Sequence, residues 1–213
     1  IMPMISSFEN SQNMQIFFDL DGTLVDISQK YYRVYADITI FFGGVPMPIG
    51  TYWRMKRAHT SVSQIAAKSL LPSHVSTRFI QECIRRIELH HYTSLDTLFP
   101  YTIATLKTLA LHHHELHLIS ARKNSKHAHA QVERLGLVPF FISLAFGDKQ
   151  QAIKPLIHPH TPFMIIGDTE EEIEIAKNLG GISVAVLSGI RNKKILSLYN
   201  PTYIATDIRG VPL

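Results

Sequence analysis

Short apolar runs alternate with helical spacing along most of the chain, an order that is typical of a parallel sheet. The first run, at residues 15–20, ends in acidic residues and glycine and predicts a buried strand that enters a loop. Further strands are expected at residues 116–120, 140–146, 162–168, 182–187 and 202–208. Helices are expected between them, at residues 100–111, 125–135, 149–157, 171–179 and 192–198. The alternation predicts an α/β fold with a doubly wound, mainly parallel sheet.

Residues 27–95 interrupt this alternation directly after the first strand. Tyr31, Val34, Tyr35 and Ile38 recur at helical spacing, which breaks at residues 45–50 and resumes at 52–58, 62–69 and 75–89. We call residues 27–95 the helical block and expect it to be an inserted all-α cap domain. The core would then comprise residues 14–26 and 96–213, and residues 1–13 would be an N-terminal extension. Open α/β sheets bind ligands at the carboxyl ends of their strands, where we expect the cap to lie.

Composition limits the class of protein and its partners. The chain has 213 residues, 46% apolar and 18% charged, as in an ordinary globular protein. No apolar run reaches the roughly 18 residues of a membrane span, and a single cysteine excludes an internal disulfide. We therefore expect a cytoplasmic protein without a membrane partner. The formal charge is +4, but the basic residues are scattered, so a small anionic metabolite is favoured over nucleic acid. Oligomeric state is not indicated.

Polar residues stand at or just after four predicted strand ends. They are Asp19, Ser120, the pair Asp148–Lys149, and Asp168. Such a set predicts a cleft that can hold a metal ion and a phosphate. Asp19 and Asp21 are close enough to divide their roles, one as an ionised nucleophile and one as a general acid. Mg²⁺ prefers oxygen ligands, and Asp19 and Asp168 would supply them from opposite sides.

The residues at these strand ends resemble the motifs of the haloacid dehalogenase superfamily. The run DLDGTL at residues 19–24 is similar to its first motif, and LHLIS at 116–120 resembles its second. Lys149, which opens the run KQQAI, fits the third, and IIGDTEEE at 165–172 resembles the fourth. The run VAVLSGIR at 184–191 looks like the phosphoglycolate-phosphatase-like branch. The resemblance implies a Rossmann-like core, and the motifs occur in the family's order over nearly the whole chain.

The resemblance also implies a role for each of these residues. Asp19 would attack phosphorus and form an aspartyl-phosphate, and Asp21 would protonate the leaving oxygen and later activate water. Asp19, the backbone carbonyl of Asp21, and Asp168 would hold Mg²⁺. Ser120 and Lys149 would bind the phosphoryl oxygens. Because a halide leaves without a proton, Asp21 favours phosphate esters over haloacids.

Several assignments stay open at this point. Glu172 stands where the family usually has Asp, so we expect it to act on the site indirectly and not as a metal ligand. We expect an indirect role for Thr23 as well. Lys154, followed by Pro155, competes with Lys149 for the phosphate-binding role, and we favour Lys149 because it begins a helix at the cleft.

The basic residues that we expect to contact the substrate are Arg122, Arg54, Lys56 and Arg57, although long side chains covering the cap surface explain the last three equally well. The histidines at 112–114 and His117 lack zinc-ligand spacing, so a solvated loop is favoured.

The predicted function is a Mg²⁺-dependent phosphatase that acts on a small phosphorylated metabolite. A phosphomutase of the β-phosphoglucomutase type is the nearest alternative, and the run SARKN at 120–124 resembles that branch. A catalytically silent binding or regulatory protein on the same fold is an alternative of another class.

Overall fold

A six-stranded parallel sheet forms the centre of the protein. The computed structural model describes residues 13–212, so the predicted extension at 1–13 lies outside it except for Asn13. The strands are β1 (Gln15–Asp19), β2 (Val25–Asp26), β3 (Thr97–Leu98), β4 (Glu115–Ser120), β5 (Ser143–Phe146), β6 (Phe163–Gly167), β7 (Ile182–Val186) and β8 (Tyr203–Ala205). The main sheet has the order β5–β4–β1–β6–β7–β8, and every neighbouring pair is parallel. The predicted fold class is confirmed.

Strand β1 lies in the middle of this sheet, and its sequence explains why. All five of its residues are buried, and successive side chains point to opposite faces. Ile16 and Phe18 pack in the larger apolar cluster on one face, and Phe17 packs with Ile165 on the other. Because β4 and β6 flank β1, the residues at the carboxyl ends of these three strands meet at one edge of the sheet.

Ten helices accompany the strands in the described part of the chain. They are α1 (Ser28–Phe41), α2 (Ile49–Arg57), α3 (Val62–Lys68), α4 (Ser76–Arg86), α5 (His90–Thr93), α6 (Thr102–Leu111), α7 (Ser125–Arg134), α8 (Lys149–Ile153), α9 (Glu170–Leu179) and α10 (Lys193–Ser197). Helices α1–α5 all fall in the helical block and bury an apolar cluster of their own, which includes Tyr35, Tyr52 and Phe79. The division into core and cap domains stays a prediction.

A two-stranded antiparallel ribbon joins the helical block to the sheet. β2 leads into α1, β3 follows α5, and Val25 pairs with Leu98. The two connections to the helical block therefore lie side by side, and the first of them directly follows the loop that carries Asp21.

Some predicted elements are longer than the observed ones. The helix expected at 149–157 ends at Ile153 and continues as a 3₁₀ turn, Lys154–Leu156, because Pro155 cannot donate a backbone hydrogen bond. The helix expected at 75–89 ends at Arg86, and the short helix α5 follows it. Among residues 13–212, no helix is long and apolar enough to cross a membrane.

Candidate active site

A cavity of about 280 Å³ lies at the carboxyl ends of β1, β4 and β6. The predicted site residues that line it are Asp19, Asp21, Ser120, Arg122, Lys149 and Asp168. Tyr31, Glu88 and Ile190 line it as well. The structure therefore brings together polar residues that are up to 149 positions apart in the chain, from Asp19 to Asp168.

Asp19 lies at the floor of this cavity, beside a buried lysine. Its side chain is almost fully buried, and its Oδ1 is 2.8 Å from Nζ of Lys149, which also contacts the carboxylate of Glu172. Burial raises the pKa of Asp19 to about 7, with Glu172 adding to the rise and Lys149 opposing it. Burial alone would lower the pKa of Lys149, but the two carboxylates hold it well above its usual value. Lys149 is thus a fixed cation next to the predicted nucleophile.

Asp168 lines the same cavity as Asp19 and approaches the backbone closely. The backbone N–H of Ile190 donates to its Oδ2 at 2.6 Å. An ideal Cβ at Gly22, where φ is +87°, would lie 2.4 Å from this oxygen, and one at Gly189 would lie 1.8 Å from it. Only glycine leaves room for the carboxylate at these two positions.

The donor set at this floor fits a magnesium ion. Burial, followed by the charges of Asp19 and Glu172, raises the pKa of Asp168 well above its usual value. Two buried carboxylates disfavour each other's negative charge, and a bound cation would relieve this repulsion. A cation that prefers oxygen ligands therefore suits the site. No three acidic, histidine or cysteine side chains among residues 13–212 form a metal-holding group. Carbonyl oxygens and water would therefore complete the coordination, as is usual for Mg²⁺.

Asp21 is held by two cations on the other side of the cavity. Its Oδ1 accepts from Lys30 Nζ at 3.1 Å and from Arg122 Nη2 at 2.6 Å, and its Oδ2 accepts from Arg122 Nε at 2.7 Å. Burial would raise the pKa of Asp21, but Lys30 and Arg122 outweigh it and hold the pKa well below its usual range. Arg122, which we expected to contact substrate, is therefore engaged with Asp21.

Thr23, Ser120 and Glu172 complete the immediate surroundings of the site. Thr23 Oγ1 donates to Asp19 Oδ2 at 3.4 Å, and the Ser120 side chain is buried against the cavity. Glu172 accepts from the backbone N–H of Thr169 at 3.2 Å, closing a capping box at the start of α9. Glu172 thus joins a helix terminus to Lys149, an arrangement consistent with an indirect role.

The three basic residues predicted on the cap do not line this cavity. Arg54 is exposed and donates to Thr51 Oγ1 at 3.3 Å. Arg57 donates to the carbonyl of Leu187 at 2.6 Å, which ties α2 to the end of β7. Lys56 lies in a separate cavity of about 310 Å³ within the helical block, with Nζ 5.0 Å from the centroid of the Tyr31 ring. Their roles in substrate binding stay predictions.

The side chains of Lys154 and His117 lie in different surroundings. Lys154 is exposed, whereas Lys149 is buried in the site, so geometry favours Lys149. The expectation of a solvated loop at the histidines is wrong for His117, because this side chain is buried in β4 and stacks on Phe17.

Lys30, Asp96 and Gln131 were not identified from the sequence. They belong to no motif, and the only signal is that Lys30 stands near the start of the helical block and Asp96 directly after its end.

The comparison that decides the family covers most of the chain. The sequence profile of the haloacid dehalogenase-like hydrolases matches residues 14–180. The chain belongs to the haloacid dehalogenase-like hydrolase family. The predicted superfamily is therefore confirmed, and this hydrolase is an enzyme by family membership.

Relatives of this haloacid dehalogenase-like hydrolase include phosphatases of similar length. It is 26% identical to the phosphoglycolate phosphatase of Vibrio vulnificus, over 91% of this chain and 92% of that protein. It is 22% identical to the pyrophosphatase PpaX of Oceanobacillus iheyensis, over 92% and 94%. A haloacid dehalogenase-like family hydrolase from Streptococcus pneumoniae has the same fold, with a TM-score of 0.70, 24% identity, and coverage of 92% of this chain and 95% of that chain. The resemblance to the phosphoglycolate-phosphatase-like branch is confirmed.

Proposed function

We propose that this protein is a Mg²⁺-dependent phosphatase that hydrolyses a small phosphate monoester through an aspartyl-phosphate on Asp19. The observation that carries the proposal is the burial of Asp19 beside Lys149, 2.8 Å away, at the floor of a polar cavity that Asp168 also lines. The phosphatase names of two relatives in the same family support it. The cavity of about 280 Å³ suits a small ester.

In the first step, a carboxylate oxygen of Asp19 attacks phosphorus. The bond between phosphorus and the ester oxygen breaks, and its electron pair stays with the leaving oxygen. That oxygen takes a proton that Asp21 must first bind against the pull of Lys30 and Arg122, so the first product is an alcohol. Ser120 and Lys149 donate to the phosphoryl oxygens, where they stabilise the negative charge of the transition state. A magnesium ion held by Asp19, Asp168 and the carbonyl of Asp21 would supply further neutralisation of that charge.

In the second step, water attacks the phosphorus of the aspartyl-phosphate. Asp21, now a carboxylate, takes a proton from this water as the new bond forms. The bond between phosphorus and the Asp19 oxygen breaks, and its electrons restore the Asp19 carboxylate. Inorganic phosphate leaves, and the net reaction consumes one ester and one water for each alcohol and phosphate released.

A phosphate-release screen with Mg²⁺ and a panel of phosphate monoesters tests this function. We expect wild type to hydrolyse at least a generic aryl phosphate and Asp19→Asn to lose turnover. Full activity in Asp19→Asn would show that another residue is the nucleophile. Migration of phosphate within a sugar phosphate, without matching release of free phosphate, would instead indicate a phosphomutase.

Two lysine variants test the proposed phosphate-binding residue. Lys149→Met should lower kcat/KM by roughly 10²–10³-fold, the usual effect of removing one donor to the transition state. Lys154→Met is the matched control, and as an exposed substitution it should change kcat/KM by less than about 3-fold. A larger loss in Lys154→Met than in Lys149→Met would reverse the assignment.

A further inference from the structure

We infer that Lys30, near the start of the helical block, and Asp96, directly after its end, are positioning residues that fix the side chain of Asp21, Lys30 by direct contact and Asp96 through Lys30 and Arg122. This inference rests on the proposed function, in which Asp21 moves the protons. It adds residues that lie outside every motif of the family.

Asp96 is the centre of the network. Its side chain is fully buried, and three donors converge on its Oδ2. Lys30 Nζ lies 2.8 Å from this oxygen, Arg122 Nη2 3.1 Å, and Gln131 Nε2 2.7 Å. Two cations thus face two carboxylates, those of Asp21 and Asp96, and each cation contacts both.

This charge balance decides where Arg122 points. Without Asp96, Arg122 and Lys30 would be two buried cations that share the single carboxylate of Asp21. Either could then turn towards another anion at the cavity, such as Asp19 or a bound phosphate. Asp96 and Gln131 hold the Arg122 guanidinium in place, and its Nε and Nη2 bind both oxygens of Asp21. A bidentate pair of this kind fixes orientation as well as charge.

The network also joins four separate elements. Lys30 lies in the first turn of α1, Asp96 directly precedes β3, Arg122 follows β4, and Gln131 lies in α7. The start of the helical block therefore contacts Asp21 directly through Lys30, and Asp96, just after its end, is linked to Asp21 through Lys30 and Arg122. A shift of the helical block relative to the sheet would change the position of Asp21.

Such a network is not explained by stability alone. Buried ion pairs contribute little net stability compared with apolar residues of the same size, because removing charges from water is costly. One oxygen of Asp96, Oδ1, is buried without a hydrogen-bond partner among the described residues, which adds to that cost. A role in orienting Asp21 accounts for groups that packing does not require.

The test compares two substrates that differ in their need for a proton. Nitrophenolate leaves p-nitrophenyl phosphate without one, whereas the alkoxide of a simple alkyl phosphate needs the proton of Asp21. The ratio kcat/KM reports only the steps through loss of the leaving group, so it isolates this difference. We expect Asp96→Asn to lower kcat/KM for the alkyl ester by about 10- to 100-fold, and for the aryl ester by less than about 3-fold.

A double-mutant cycle separates positioning from general damage. If Asp96 acts through Asp21, adding Asp96→Asn to Asp21→Asn should lower alkyl-ester kcat/KM by less than about 2-fold further. If circular dichroism shows that Asp96→Asn does not fold, Lys30→Gln and the milder Gln131→Met replace it. Both should show the same ester-selective loss. Asp207→Asn is the matched control, because Asp207 is also buried and paired with Arg209 but does not line the cavity. It should alter both esters equally.

The outcomes distinguish this role from the proposed function. An equal loss on both esters, or independent losses in the double mutant, would overturn the positioning role and leave the phosphatase intact. A wild-type protein that hydrolyses neither ester would overturn the proposed function, and the positioning role would fall with it.

Discussion

The side chain of His117 shows how burial decides the chemistry of a single residue. Its Nδ1 lies 2.7 Å from Ser143 Oγ, and its Nε2 lies 3.3 Å from Gln15 Nε2. The Gln15 amide is oriented by its other bonds, since Nε2 donates to the carbonyl of Leu156 and Oε1 accepts from His158 N–H. Nε2 of His117 must therefore accept, so this imidazole is neutral in the folded protein.

The neutral state of His117 makes stability depend on pH. Burial lowers the pKa of His117 from 6.5 to about 4, so below pH 6.5 the unfolded chain binds a proton that the folded chain does not. Stability should be fully present above pH 6.5 and fall as the pH drops towards 4. We expect the advantage of wild type over His117→Gln, in free energy of unfolding by urea, to shrink by about 2 kcal/mol between pH 7 and pH 5. An advantage that stays constant or grows on acidification would contradict the assignment.

The loop that follows β7 shapes the proposed metal site. It begins after Val186, and Gly189 in this loop lies against the carboxylate of Asp168, to which the N–H of Ile190 donates. The backbone of this loop therefore orients a residue that follows a different strand, β6. Outer groups of this kind commonly tune how tightly a metal is held.

A methyl group at position 189 should displace Asp168. Gly189→Ala places an ideal Cβ 1.8 Å from Oδ2 of Asp168, so either the loop or the carboxylate must move. We expect the Mg²⁺ concentration for half-maximal activity to rise by about 10- to 100-fold, measured by titration of the metal-free enzyme.

Gly50→Ala serves as the control for Gly189→Ala, since nothing lies within 4 Å of its added Cβ and it stands in α2. It should leave the Mg²⁺ titration unchanged and raise stability by up to about 1 kcal/mol. Identical Mg²⁺ dependence in Gly189→Ala and wild type would show that the close approach has no bearing on the metal.

At the scale of the whole molecule, the helical block contacts the sheet away from the ribbon as well. Arg57 Nη2 donates to the carbonyl of Leu187 at 2.6 Å, and the backbone N–H of Asn192 donates to the Arg57 carbonyl at 2.9 Å. These bonds join α2 to the segment between β7 and α10. Together with the ribbon of β2 and β3, they attach the helical block to the sheet at more than one place.

Removing the Arg57 guanidinium should loosen α2. A hydrogen bond from a charged donor contributes about 1.5–3 kcal/mol, and a loss of that size is a factor of about 10–150 in a local opening equilibrium. We therefore expect amide hydrogen exchange at residues 49–57 to become faster by that factor in Arg57→Met, as followed by mass spectrometry. Arg54→Met, on the exposed side of the same helix, should exchange as wild type does. Equal rates in all three proteins would mean that Arg57 does not hold α2.

The order of elements, the fold class and the family could all be predicted from the sequence alone. Each of these depends on local pattern. Buried strands are apolar runs, helices have apolar residues at helical spacing, and the motif DLDGTL is a short sequence directly after a strand. Asp19, Ser120 and Asp168 could be predicted to meet because parallel strands bring their carboxyl ends to one edge. Even Lys149 could be preferred over Lys154 from its place at a helix start.

The partners of these residues could not be predicted and depend on the folded arrangement of the chain. Asp96 contacts Lys30 across 66 positions and Arg122 across 26, and no local pattern marks such a pairing. The burial of His117 and the contact of Arg57 with Leu187 also depend on packing between distant segments. Side-chain contacts over such separations, and the pKa values that follow from them, arise only once the chain is folded, because charge and burial act through space and not along the sequence.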